Sequence, residues 1–237
     1  MLKHLRHAPC KELSILALTL GLCLAGAGAA AETPAPLGPL GMIQSSVARV
    51  RGIAQASPAG STERRTAILR VSHDLFDFNE IARRALGQHW KGLSSAEQGE
   101  FVQLFTDVLD RAFIASVDEY PHGNVTFLGE SIDGTVARVR SRIIANDGTA
   151  ISIDYRVHQH DARWAVYDVV SEDVSLVANY RSQLTSVIRT ASVADVLERI
   201  RTDRLKRREP TTPAPLVPSR LAAGLLLSVL TRQAPQR

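Results

Sequence analysis

The sequence predicts an α+β fold in which helices pack on one face of a curved, antiparallel four-stranded sheet. Three observations lead to this class. Apolar residues recur at helical spacing up to about residue 120, and they alternate with polar residues over 124–171. The alternating segments are separated by short polar turns, such as Asp133-Gly134 and Asn146-Asp147-Gly148, which are typical of hairpins. Helical spacing returns after residue 171, and helices before and after an antiparallel meander are typical of an α+β domain.

The first 31 residues are predicted to be a cleaved signal peptide. A basic start precedes an apolar run over 13–24, and small residues follow up to Ala31. The run has roughly 16 apolar residues, fewer than the ~20 that span a bilayer, which favours a signal peptide over a membrane anchor. Both cysteines, Cys10 and Cys23, lie in this segment. We therefore expect the exported chain to have no disulfide and no cysteine-based site.

Six helices are predicted from apolar spacing and capping residues. They are Met42–Ala56, Thr62–His73, a short helix capped by Asp77 and stopped by Gly87, Ser95–Tyr120, Val174–Thr190 and Ser192–Arg208. The longest begins with a capping box, Ser94 and Glu97, and carries a continuous apolar stripe from Phe101 to Val117. We expect this stripe to face the strands across a large hydrophobic interior.

Four strands are predicted between the helices, at Asn124–Glu130, Thr135–Ala145, Ala150–Gln159 and Arg163–Ser171. In the third strand apolar residues alternate with polar ones, so we expect one face of the sheet to be buried and the other to be exposed to solvent.

The C-terminal segment, residues 210–237, is predicted to be a tail outside the folded domain. Three prolines occur over 211–219, and the apolar stretch Leu221–Leu230 is too short to span a bilayer. From Arg199 onward there are nine basic residues against two acidic ones, whereas residues 32–198 carry a net charge of −5. The basic character thus belongs to the C-terminal part that begins at Arg199, and no nucleic-acid-binding surface is predicted on the body. Either Arg199–Arg208 and Leu221–Leu230 contact anionic lipid, or this part of the chain is a disordered extension.

The familiar catalytic motifs are missing from the sequence. It contains no nucleophile elbow, phosphate-binding loop, dinucleotide fingerprint or zinc-protease motif. The nearest pattern to a metal site is His158-Gln159-His160 with Asp161, which alternation places on the polar side of a strand end. A solvated strand end is the favoured interpretation, and we predict no metal and no cofactor.

Asp168 interrupts an otherwise apolar strand, so its carboxylate is either held by structural hydrogen bonds or acts as a catalytic base with a raised pKa. A structural role is favoured, because Tyr180 and Arg181 follow on a helix that could fold back to meet it.

Two sequence motifs stand out, one before the predicted strands and one at their end. The first is Phe76-Asp77-Phe78, Ile81-Ala82-Arg83-Arg84-Ala85-Leu86-Gly87 and Trp90. The second is Trp164, Val166-Tyr167-Asp168-Val169, Glu172, Val174-Ser175-Leu176 and Asn179-Tyr180-Arg181-Ser182-Gln183. The two motifs, in this order, resemble the MlaC (toluene-tolerance) family. The sequence departs from the family pattern at Asp173, where glycine is usual, and in the segment after Glu209.

The resemblance implies an NTF2-like fold over residues 32–209, with an apolar cavity between the curved sheet and the helices. It also implies a soluble periplasmic carrier of diacyl phospholipid. Its partners would be an outer-membrane lipoprotein complex and an inner-membrane ABC transporter with its substrate-binding ring. Two alternatives remain open: a relative that binds polycyclic, hopanoid-type lipids, and an NTF2-like enzyme that uses Asp168 as a buried base.

On this interpretation, apolar residues of the long helix and the strands are the candidates to line the cavity. They are Phe105, Leu109, Phe113, Val125, Phe127, Val139, Ile143, Ile151, Ile153, Tyr155, Val157, Trp164 and Val166. Withdrawing each methylene from water is worth ~0.8 kcal/mol, so a 16-carbon chain exposed to water would cost on the order of 12 kcal/mol.

Overall fold

The structure is a computed structural model that describes residues 37–119, 124–144, 148–161 and 163–206. The predicted signal peptide and the tail over 210–237 lie outside the described residues. No helix within the described ranges is both long and apolar enough to cross a bilayer.

The described chain forms helices, then a sheet, then helices, as the change of sequence period predicts. The helices are α1 (Pro39–Ala56), α2 (Thr62–Leu75), α3 (Phe78–Leu86), α4 (Ser95–Glu119), α5 (Leu176–Ile188) and α6 (Val193–Lys206). The strands are β1 (Asn124–Asp133), β2 (Val136–Ile144), β3 (Ala150–His160), β4 (Arg163–Ser171) and β5 (Val174–Ser175). A 3₁₀-helix over Gly87–Gly92, which the sequence did not predict, joins α3 to the loop before α4.

Local side chains fix several helix starts. The Asp77 carboxylate accepts a hydrogen bond from the Glu80 N–H and caps α3. Ser94 and Glu97 form the reciprocal capping box of α4. α3 ends where Gly87 adopts φ +56°, a conformation open to glycine.

The sheet is antiparallel throughout and follows chain order from β1 to β5. It has five strands, so the expected count of four is one short. The extra strand, β5, pairs with the end of β4 because Glu172 and Asp173 both take positive φ, +47° and +65°, and form a tight turn. Asp173 stands at one of these left-handed positions, which aspartate tolerates better than most non-glycine residues.

The buried apolar side chains fall into two clusters, one among helices and one on the sheet. The helical cluster is built by α3, α4, α5 and α6, with Phe101, Phe105 and Tyr180 among its largest members. The sheet cluster joins Ile43 of α1 and Leu75 of α2 to the inner face of the strands. The expectation that the whole α4 stripe faces the strands is therefore wrong from Phe101 to Leu109, which pack against other helices.

Candidate functional site

The inner face of the sheet is an almost continuous apolar surface. Strand register places Val125, Ile143 and Ile151 in one row across β1, β2 and β3. A second row runs from Ala137 through Val157 to Val166. Because side chains alternate across a strand, these residues share one face of the sheet.

The residues predicted to line a cavity differ in their exposure. Seven are buried: Phe105, Leu109, Val139, Ile151, Ile153, Val157 and Val166. Six are only half-buried: Phe113, Val125, Phe127, Ile143, Tyr155 and Trp164. Phe105 and Leu109 lie in the helical cluster, whereas Val139, Val157 and Val166 lie in the sheet cluster. The structure therefore does not bring all thirteen into one group.

Two aromatic side chains lie between the clusters. Phe76 is half-buried and packs against both of them. Its ring meets that of Phe113 from α4 edge-on, with 5.8 Å between the ring centroids. The sheet layer and the helical layer are thus in contact through partly exposed aromatic rings.

Ser141 is a buried polar residue in the middle of this apolar face. Its hydroxyl donates to the Ile153 carbonyl at 3.2 Å. It is also hydrogen-bonded to Tyr155, and burial raises the pKa of the Tyr155 phenol above its usual value. The Tyr155 hydroxyl therefore has a partner within the protein.

Asp168 lies on the opposite face of the sheet, where it holds the start of α5. Its side chain is 3% exposed and accepts hydrogen bonds from the Val177 N–H (3.0 Å) and the Ser175 hydroxyl (2.7 Å). The Arg156 guanidinium, 43% exposed, donates to the same carboxylate at 3.0 Å. Helix α5 folds back to Asp168 as expected. The partners of the Asp168 carboxylate, however, are these three groups and not Tyr180 and Arg181.

Tyr180 and Arg181 have separate contacts. Tyr180 is buried against Phe105, with ring centroids 5.1 Å apart, and burial raises its pKa to about 12. Arg181 donates to the Arg84 carbonyl at 2.7 Å and lies along Gly87. It also lines an open groove of about 480 Å³ on the outer side of α5.

A cluster of two imidazoles and a carboxylate forms at the end of β3. His158 Nε2 lies 3.1 Å and His160 Nδ1 lies 3.4 Å from Oδ2 of Asp77. The expectation that the polar side of this strand is solvated is wrong for His158, whose side chain is 19% exposed and whose ring packs on Tyr167. Spacing along the strand revealed the two histidines, but it could not reveal Asp77, which is 81 residues away.

Comparison with known proteins agrees with the resemblance seen in the sequence. The family model described as MlaC protein matches residues 42–202, more than half of the chain. The structure of a phospholipid-binding protein from Ralstonia solanacearum, solved in complex with a phospholipid, is similar with a TM-score of 0.65. The match covers 73% of this chain and 100% of that chain at 19% sequence identity. At this identity the likeness establishes the fold, and the predicted α+β class is confirmed.

Proposed function

This chain belongs to the MlaC family, and we propose that it is a periplasmic lipid carrier that holds the acyl chains of a phospholipid in an apolar cavity. The cavity lies between the inner face of the sheet and the helices. Its walls include the half-buried members of the predicted lining set.

The observation that carries the proposal is the uneven burial of one apolar face. Val139 and Val157 are fully buried where α1 covers the sheet. Val125, Phe127 and Ile143, on the same face farther along the strands, are only half-buried. A ligand chain that covered them would gain about 25 cal/mol for each Å² of apolar surface removed from water.

The division of the core into two clusters also supports a ligand space. The helical cluster and the sheet cluster each bury their own large side chains, so neither depends on the other for most of its packing. A ligand chain inserted between the clusters would displace the contacts that Phe76 makes with both of them. Phe76 and Phe113, where the layers touch, would then contact the acyl chains.

The carrier is also proposed to act in transport between the two membranes. The predicted signal peptide would export the chain to the periplasm. There it would carry phospholipid between an outer-membrane lipoprotein complex and an inner-membrane ABC transporter with its substrate-binding ring. Family membership and the cost of moving a bare acyl chain through water support this part.

The alternative of an enzyme with Asp168 as base receives no support from the geometry. Both carboxylate oxygens are already used, one by the Val177 N–H and the other by Ser175 and Arg156. The carboxylate also lies on the face of the sheet opposite to the apolar one. We therefore propose a binding protein, in which Asp168 is structural.

The test is to extract the purified protein with organic solvent and identify the lipids by mass spectrometry. We expect diacyl phospholipid, whereas polycyclic triterpenoids would favour the hopanoid alternative. A stably folded protein without lipid, which also fails to transfer fluorescent phospholipid between vesicles, would contradict the proposal.

A matched pair of variants on β2 locates the site. Ile143→Glu introduces a carboxylate on the inner face, and we expect at least a fivefold loss of bound lipid per mole of protein. Ile144→Glu is the control, because Ile144 points to the other face and is 37% exposed. If Ile143→Glu does not fold, Val125→Glu in the same row repeats the test at the edge strand. Equal lipid content in the inner-face variants and the control would argue against this location.

A further inference from the structure

We propose that Asp77, His158 and His160 form a binding site for a divalent transition-metal ion, with Zn²⁺ as the ion that they fit best. This site is independent of the lipid cavity, since alternation places the two histidines on the outer side of β3. Imidazole nitrogen and carboxylate oxygen are ligands that Zn²⁺ takes in proteins.

The distances between the donor atoms suit one small ion. A tetrahedral centre with metal–ligand bonds of about 2.1 Å has its ligand atoms about 3.4 Å apart. Asp77 Oδ2 lies 3.1 Å from His158 Nε2 and 3.4 Å from His160 Nδ1. One ligand atom from each of the three residues lies within 4.8 Å of the other two. A metal would therefore require only small side-chain adjustments.

The Asp77 carboxylate is held in place before any ion binds. Its Oδ1 accepts the Glu80 N–H at 2.9 Å as the cap of α3. Its backbone N–H donates to the Val166 carbonyl at 2.9 Å, which fixes the residue to β4. The other oxygen, Oδ2, is left to face both imidazoles. Such preorganisation lowers the entropic cost of binding.

The histidines are oriented in a way that suits metal ligation. His158 packs edge-on against the Tyr167 ring, with centroids 5.4 Å apart, which restricts its orientation. His160 Nε2 lies 3.2 Å from Oδ2 of Asp161, while its Nδ1 faces Asp77. A carboxylate that accepts the second ring N–H of a histidine fixes the ring tautomer and raises its basicity toward a metal. Asp161 would have this supporting role.

The positive charge beside the site is reduced by a local acid. Arg83 and Arg84 lie on the adjoining helix, and Arg84 stacks over Tyr167. Both guanidinium groups are hydrogen-bonded to the Glu80 carboxylate, which neutralises one of their two positive charges. Three protein ligands and one solvent ligand would complete a four-coordinate Zn²⁺, which would tie the start of α3 to the end of β3.

The experiment is a calorimetric titration of the untagged chain with Zn²⁺ in a buffer that does not chelate metals. We expect a binding event that weakens more than tenfold in His158→Ala and in His160→Ala. Asp161→Ala is expected to weaken it about tenfold, as is usual for partners of a ligand. His73→Ala is the matched control, because His73 also pairs with a carboxylate, that of Asp110, and should leave the affinity unchanged.

A second readout does not depend on heat. Binding of Zn²⁺ to the folded state alone raises the unfolding temperature, and this rise should vanish in His160→Ala and persist in His73→Ala. Absence of Zn²⁺ binding by the folded wild-type chain would overturn the proposal. So would equal affinity in wild type and in both ligand variants, which would identify the cluster as a hydrogen-bonded group only.

Discussion

Replacing Asp168 by alanine tests whether this carboxylate is a structural cap. The substitution removes the acceptor of the buried Val177 N–H, and leaving such a group unpaired costs about 1–3 kcal/mol. It also removes the acceptor of the Ser175 hydroxyl, and losing this hydrogen bond costs about 1 kcal/mol. Ser175 still accepts its capping hydrogen bond from the Ala178 N–H. The Arg156 side chain is 43% exposed and can be hydrated instead, so loss of its ion pair with Asp168 adds little. We expect a total loss of about 2–4 kcal/mol in the free energy of unfolding.

Urea denaturation followed by circular dichroism measures this loss. Asp168→Asn retains an oxygen for the Val177 N–H, so we expect it to lose roughly half as much. Asp154→Ala is the control, because Asp154 lies on the same face but pairs with the half-exposed Arg138. It should cost less than about 1 kcal/mol. A loss in Asp168→Ala no larger than that of the control would refute the structural role.

Two further predictions concern a turn and a buried acid. Gly87→Ala should cost about 2 kcal/mol, because φ is +56° and a Cβ would meet Arg181 at 3.3 Å. Gly99 lies within α4, and a Cβ added there would meet no other atom. Gly99→Ala should therefore raise the free energy of unfolding by about 0.5–1 kcal/mol in the same urea assay. Equal effects of the two substitutions would refute the argument from the positive φ of Gly87. Burial raises the pKa of Asp110 above 3.8, so the folded state binds a proton more tightly than the unfolded state. Its contribution to stability is therefore greatest at low pH and is lost as pH rises above 3.8 through the raised pKa. The free energy of unfolding of wild type, relative to that of Asp110→Asn, should fall as pH rises from 3.8 through the raised pKa. A difference that stays constant with pH would contradict this prediction.

Much of the fold could be predicted because it depends on local patterns. The change from helical to alternating spacing after α4 locates the sheet, and Ser94 with Glu97 marks the start of α4. The short strand β5 could not be predicted, since it exists only where a turn through Glu172 and Asp173 returns the chain to β4. Pairing of two residues leaves no periodic signal.

The candidate site was predictable only in part. Alternation identified which strand residues share the apolar face, and Ile143 and Ile151 do lie side by side. Apolar spacing on α4 could not indicate which layer its stripe would meet, and Phe105 packs with Tyr180 rather than with the strands. A hydrophobic stripe specifies burial but not a partner, because the hydrophobic effect has no direction.

The sequence by itself determined the α+β class, the family and the two faces of each strand, since these follow from spacing, capping and ordered motifs along the chain. Only the tertiary structure decided that the core divides into two clusters, that Asp168 caps α5, and that Asp77 meets His158 and His160. The two clusters and the contact of Asp77 with the histidines depend on distances between residues that are remote in the chain. Such distances are set by how the layers pack, and no local pattern encodes them. Asp168 lies only seven and nine residues before Ser175 and Val177, and their contact depends on the tight turn through Glu172 and Asp173.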